Sequence, residues 1–93
     1  MHSDIDWDVI GCLVSSRYRI AVADVLAEHP ATPSQLAREA EEPMSHISRA
    51  ISELRAVDVV ELLVSEDTRK GRIYGLSEFG ERAVAQARDD QLL

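Results

Sequence analysis

Arg49 is the residue of this 93-residue chain best placed for recognition chemistry. It lies among Ser45, His46, Ser48 and Ser52, while Met44, Ile47, Ile51 and Leu54 recur between them at steps of three, four and three. That spacing is the buried stripe of an amphipathic helix, and it turns Arg49 and its small polar neighbours to the other side. A guanidinium presented in this way can bond a guanine edge through two donors or clamp a phosphate. The hydroxyls and the imidazole suit the same partners, since Ser45 and His46 fall in the first turn and Ser48 and Ser52 flank the face. The bland alternative is a solvated surface. Glu53 follows Arg49 at i,i+4, a pair worth only a few tenths of a kcal/mol, and Ser45 and His46 could serve capping or solvation alone.

A second basic group, Arg69, Lys70 and Arg72, stands in the polar stretch Ser65 to Gly71 and just beyond it. It could lie along a nucleic-acid backbone or in a minor groove. Its alternative is an ordinary solvated loop, because Glu66 and Asp67 offset two of the three charges. Arg17 and Arg19, at the start of another helix, could touch phosphate or form interhelical salt bridges. Catalysis has no comparable support. There is no glycine-rich phosphate loop, no nucleophile–base pair at a recognisable spacing and no paired carboxylates in an expected cleft. No cofactor is implied, and Cys12, His2, His29 and His46 have no metal-ligand spacing.

The elements that must hold Arg49 are legible around it. Thr32 is a good N-cap, Pro33 suits the first helical position, and Gln35 completes a T-x-x-Q capping box, with Leu36, Ala37 and Ala40 as a narrow apolar face. The Arg49 helix then starts near Glu42-Pro43, with Pro43 in its first turn, and runs to about Ala56. Two short helices in tandem, the second polar and basic outward, suggest a helix-turn-helix whose second member enters a DNA groove. Upstream, Asp6 can cap a helix from about Trp7 to Val14, and Ser15 or Ser16 one from about Arg17 to Glu28 that His29-Pro30 ends. Downstream, Val59 to Val64 and Arg72 to Leu76 read as two strands joined by the charged loop, a hairpin wing over about 59–76. Ser77 caps a last helix from about Glu78 to Asp90, and Gln91-Leu92-Leu93 should fray.

Composition sets bounds on this reading. A chain this small buries only about 60–65% of its unfolded surface, so a partner subunit would help it. No apolar run nears the roughly 18 residues of a membrane span, and the acidic opening lacks the basic region of a signal peptide, so a cytoplasmic location is expected. Cys12 sits in the apolar run Val9 to Val14 and is expected to be a buried thiol. Seventeen acids against ten bases give a net charge of −7, the wrong sign for binding phosphates by bulk electrostatics. The acid is unevenly placed, however: residues 1–14 carry −3, 15–42 carry −2, 43–76 sum to 0 and 77–93 carry −2. Nine of the ten basic residues are arginine. Abundant acid with a single lysine resembles proteins of salt-loving archaea, in whose cytoplasm counterion release would count for less than shape and direct contact.

The order of elements resembles the small prokaryotic winged-helix regulators of the ArsR, MarR and PadR types, with a flavour closest to archaeal members. The resemblance spans residues 15–84. It is carried by Ser15 to Ile20, Thr32 to Ala37, Ser45 to Leu54, Asp58 to Glu61 and Gly71 to Gly80, in that order. It implies one mostly α, α+β domain over 1–93: a winged helix-turn-helix, with the helix-turn-helix at about 32–56, a two-stranded wing and extra terminal helices. It implies a transcriptional regulator that binds double-stranded DNA, by Ser45, His46, Ser48, Arg49 and Ser52 in the major groove and Arg69, Lys70 and Arg72 on the backbone. Two departures stand out. The turn Ala40-Glu41-Glu42-Pro43 lacks the glycine many relatives place there, and the clustered ligands of the metal-sensing branch are missing. No second domain is seen to hold an effector. A homodimer is expected, because one such domain reads few base pairs and Trp7, Val9, Leu13, Phe79, Val84 and Ala87 offer apolar surface; alternatively they complete the monomer's core. Two other functions stay open: a winged helix used for protein contact, and a low-specificity chromatin- or replicon-associated DNA binder.

Overall fold

The computed structural model describes residues 7–63 and 71–93. In chain order these form α1 (Trp7–Val14), α2 (Arg17–Glu28), α3 (Pro33–Ala40), α4 (Met44–Ala56), β1 (Val60–Leu62), β2 (Tyr74–Leu76) and α5 (Glu78–Asp89). This is the mostly helical winged helix-turn-helix that the sequence leads one to expect. Asp6, the loop residues 65–70 and with them Arg69 and Lys70 lie outside the described residues.

The starts of α2, α3 and α5 have local causes. The Ser16 side chain accepts from Tyr18 N–H and Arg19 N–H, and the Ser77 side chain accepts from Gly80 N–H. Both halves of the capping box form at α3: Gln35 N–H donates to Thr32 Oγ1 (3.2 Å), and Thr32 N–H donates to Gln35 Oε1 (2.9 Å). At α4 the sequence reading needs a correction. Pro43 is the N-cap rather than a helical residue and offers no side-chain cap; its carbonyl accepts from His46 N–H and Ile47 N–H, both at 3.1 Å.

The core is a single cluster to which every helix contributes, with Leu13, Leu36, Ile47, Leu54 and Val59 fully enclosed. Burial of such side chains is worth about 1.5–3 kcal/mol each, which makes this cluster the main source of stability. Met44 does not join the α4 stripe. It is the first helical residue and is 42% exposed, and Ala50 joins Ile47, Ile51 and Leu54 on the inner face instead. Cys12 is half-buried rather than enclosed. Val9, Leu13, Val84 and Ala87 are consumed by the monomer's own core, whereas Trp7 is 57% exposed.

The wing is antiparallel, pairing Val60 with Leu76, Glu61 with Gly75 and Leu62 with Tyr74. Ala31, just before the α3 cap, adds a third lane by exchanging two main-chain bonds with Tyr74 (3.0 and 2.9 Å). The wing base is thereby tied to the start of the helix-turn-helix.

Three helices end alike. Behind α3, α4 and α5, the residues Glu41, Asp58 and Gln91 take positive φ values of 57°, 65° and 59°. In each case the next N–H reaches back five residues and the left-handed residue's own N–H reaches back three. For α3 these are Glu42 to Ala37 (3.1 Å) and Glu41 to Arg38 (3.3 Å). This is the Schellman closure, normally built on glycine. At α5 it holds Leu92 N–H on Ala87 (2.7 Å), so the tail is tied down instead of frayed, and Leu93 packs on the core. Two substitutions test these local causes in thermal unfolding. Glu41→Gly relieves the left-handed backbone and removes a carboxylate from a helix C-terminus, and is expected to stabilise by about 0.5–1 kcal/mol. Gly80→Ala would drive a methyl group into the Val59 carbonyl and is expected to cost about 2–3 kcal/mol. A lower Tm for the first, or an unchanged Tm for the second, contradicts these assignments.

Candidate nucleic-acid interface

Helix α4 is 13 residues long, about 20 Å at 1.5 Å per residue. Its inner face, Ile47, Ala50, Ile51 and Leu54, is buried against the core. Its outer face presents Ser45, His46, Ser48, Arg49, Ser52 and Arg55, all exposed. The structure therefore places five of the eight residues singled out from the sequence on one solvent-facing helix surface. Arg72, also exposed, lies at the approach to β2. Guanidinium, hydroxyl and imidazole groups on one exposed helix face are groups able to bond base edges or phosphates.

The face is held from behind by a contact that sequence spacing does not reveal. Arg19 of α2 has a side chain only 16% exposed and uses its whole guanidinium. Nε donates to the Cys12 carbonyl (2.6 Å), Nη2 to Ser15 Oγ (2.7 Å) and Nη1 to Glu53 Oε1 (2.7 Å). One arginine thus joins the end of α1, the start of α2 and the middle of α4. Of the two roles open to Arg19, phosphate contact or an interhelical salt bridge, the structure shows the bridge.

Glu53 is shared. Its other oxygen, Oε2, lies 3.7 Å from Arg49 Nε, the i,i+4 pair expected as the bland alternative. The distance is long and the Arg49 side chain is 80% exposed, so this pair is weak, at ~0.3–0.5 kcal/mol, and leaves the guanidinium available. His46 is less free than its exposure suggests. Its ring stacks on Tyr18 with centroids 4.3 Å apart and planes 5° from parallel. Arg17 lies over the other partner of that stack, 4.9 Å from the Tyr18 centroid, and pairs with Glu42 (3.4 Å). The acidic turn Glu41-Glu42 is thus partly neutralised by α2.

Beside this face, a groove of about 580 Å³ opens between the start of α3, the second half of α4 and residues 71–74. Arg55 stands in its wall with its guanidinium 5.6 Å from the Tyr74 ring centroid. Sequence reading passed over Arg55, although Ser48, Ser52 and Arg55 at i, i+4 and i+7 form a stripe of their own. Among the described residues no group of three or more His, Cys, Asp or Glu could hold a metal ion, and no helix is long and apolar enough to cross a membrane.

No protein-family model matches this chain, and no curated protein matches it. Solved structures do. A MarR family regulator from Neisseria meningitidis superposes with a TM-score of 0.68 at 23% identity, over 80% of this chain and 52% of its own length. A homodimeric winged helix-turn-helix DNA-binding domain from Mycobacterium bovis, a possible ArsR-family transcriptional regulator, gives 0.71 at 18% identity, over 91% of this chain and 79% of that domain. A MarR family transcriptional regulator from Silicibacter pomeroyi gives 0.69 at 18% identity, over 89% and 56%. The chain spans about half the length of the Neisseria protein. At these identities the likeness establishes the winged helix-turn-helix fold.

Proposed function

We propose that this chain is a sequence-specific DNA-binding transcriptional regulator. The observation that carries the proposal is the outward face of α4: exposed donors on a helix fixed to α2 by the Arg19–Glu53 bond and the Tyr18–His46 stack. In this reading Arg49 reads a base edge in the major groove, while Ser45, His46, Ser48 and Ser52 contact neighbouring bases or phosphates. Arg69, Lys70 and Arg72 of the wing lie along the adjacent backbone or minor groove. The likeness to regulators of the MarR and ArsR types supports this assignment.

Action as a homodimer belongs to the same proposal, since two-fold symmetry doubles a short base reading. The Mycobacterium bovis domain is homodimeric, and in this chain the exposed Trp7 leaves apolar surface on α1 for such a contact. An acid-rich, nearly lysine-free chain fits a salt-loving archaeal cytoplasm, where binding must rely on shape and direct contacts. The rival reading is a protein-contact module, favoured by the net charge of −7.

Genome-wide crosslinking separates the readings, because discrete promoter peaks are expected here and protein partners without DNA in the rival case. On the site so found, Arg49→Ala is expected to cost about 1–3 kcal/mol, with little loss on unrelated duplexes. If Arg49→Ala binds the site as tightly as the parent, the groove assignment fails. Sedimentation equilibrium in molar salt is expected to give twice the 10.3 kDa chain mass, and a clean monomer across micromolar concentrations removes the dimer.

A further inference from the structure

The groove beside α4 has a composition unlike that of the chain around it. The sequence holds seventeen acids and ten bases, yet the described residues lining this groove include Arg55, Arg72 and the hydroxyl side chains of Ser34, Ser48 and Ser52, and no carboxylate. Among the described residues the lining carries no acid, so an anion meets less repulsion there than over the acidic surface elsewhere.

Arg55 is arranged to meet one. Arg17, Arg19, Arg49 and Arg88 each pair with a carboxylate. Arg38, Arg55 and Arg82 have no carboxylate partner among the described residues, and of these Arg55 lines the groove with its guanidinium over the Tyr74 ring. A cation over an aromatic face is steadied without being neutralised, so its charge and its N–H donors stay available. The platform is itself rigid: Tyr74 is buried and locked to Ala31 by two main-chain bonds. Ser48 and Ser52 lie on the same side of α4, two turns and one turn before Arg55, and add hydroxyl donors along one line. A planar fork beside hydroxyl groups is the donor set that suits the tetrahedral oxygens of a phosphate.

Resting on the DNA-binding reading above, we infer that this groove seats one phosphodiester of the DNA backbone, with Arg55 as the residue that holds it. The seat lies between the recognition face of α4 and the wing. It carries no sequence information and sets the register of α4 on the duplex, so that Arg49 meets its base.

The test compares parent, Arg55→Lys and Arg55→Ala on the crosslinked promoter site and on an unrelated duplex over a range of salt, with circular dichroism to verify each fold. Arg55→Ala is expected to weaken both duplexes by the same factor, roughly tenfold for one charge-assisted contact, and to flatten the salt slope by about one. Arg55→Lys keeps the charge without the fork and is expected to fall between. Placing one neutral methylphosphonate at the contacted step should cost the parent the same factor and add nothing to Arg55→Ala. Unchanged binding by Arg55→Ala overturns the seat while leaving the Arg49 assignment standing. A loss confined to the promoter site also overturns it, making Arg55 a base reader. Saturable pyrophosphate binding that needs Arg55, with duplex affinities unchanged, assigns the groove to free phosphate and overturns the backbone seat. A parent that binds neither duplex overturns this inference and the regulator reading together.

Discussion

Helix α4 leaves its last turn through Asp58 and Val59, and the main-chain bonds of that turn govern the angle between the recognition face and the wing. Val59 N–H returns to the Leu54 carbonyl (2.9 Å), closing α4, while the Val59 carbonyl accepts from Ser77 N–H (3.0 Å), opening α5. The Ser77 hydroxyl, which caps α5, also donates to the Asp58 carbonyl. Gly80 lies so close to Val59 that a side chain would collide with its carbonyl. The end of α4, the start of α5 and the lead into β1 are therefore joined through the two consecutive peptide units that flank Val59. Neither α4 nor the wing can tilt without breaking bonds that the other elements need, because buried main-chain groups must stay paired.

A second constraint comes from charge. A chain this acidic presents a donor surface only if its carboxylates are occupied or kept away. Glu53 is held by Arg19 and Glu42 by Arg17, both from α2. Helix α2 thus serves the outer face of α4 as well as the core, since its arginines partly neutralise the carboxylates at the edge of that face. This resolves the apparent conflict between the net charge and the exposed cations of α4.

What the sequence reveals here is what depends on neighbours within one turn. The Thr32–Gln35 capping box and the Ser16 and Ser77 caps are set within three or four residues, so spacing alone finds them, whereas the alternation expected of β2 fails because Tyr74 and Gly75 are both buried. The stripe of α4 was legible through Ile47, Ile51 and Leu54, and failed at Met44, the first helical residue, because spacing gives the face of a helix but not which of its ends the core covers. Arg19–Glu53 and Tyr18–His46 join residues far apart in sequence, and no period encodes them. Arg55 was missed for a related reason. Its meaning comes from Tyr74, which only the fold brings beneath it. The left-handed residues were hidden because Glu41 and Gln91 are side chains that seldom adopt that conformation, and the bonds that close those ends are main-chain bonds that side-chain spacing does not encode.

Those three helix ends also bear on how the recognition surface could change over generations. Proteins tolerate substitutions at functional faces in proportion to the stability they hold in reserve. Here two unoptimised backbone positions, Glu41 and Asp58, sit immediately before and after the α4 turn structure, outside the face that would meet a ligand. Variation at either can offset the destabilisation caused by a new residue at Ser45, Arg49 or Ser52 without altering what that face presents. The left-handed turns thus make the stability of the scaffold and the side chains on the outer face of α4 separately adjustable.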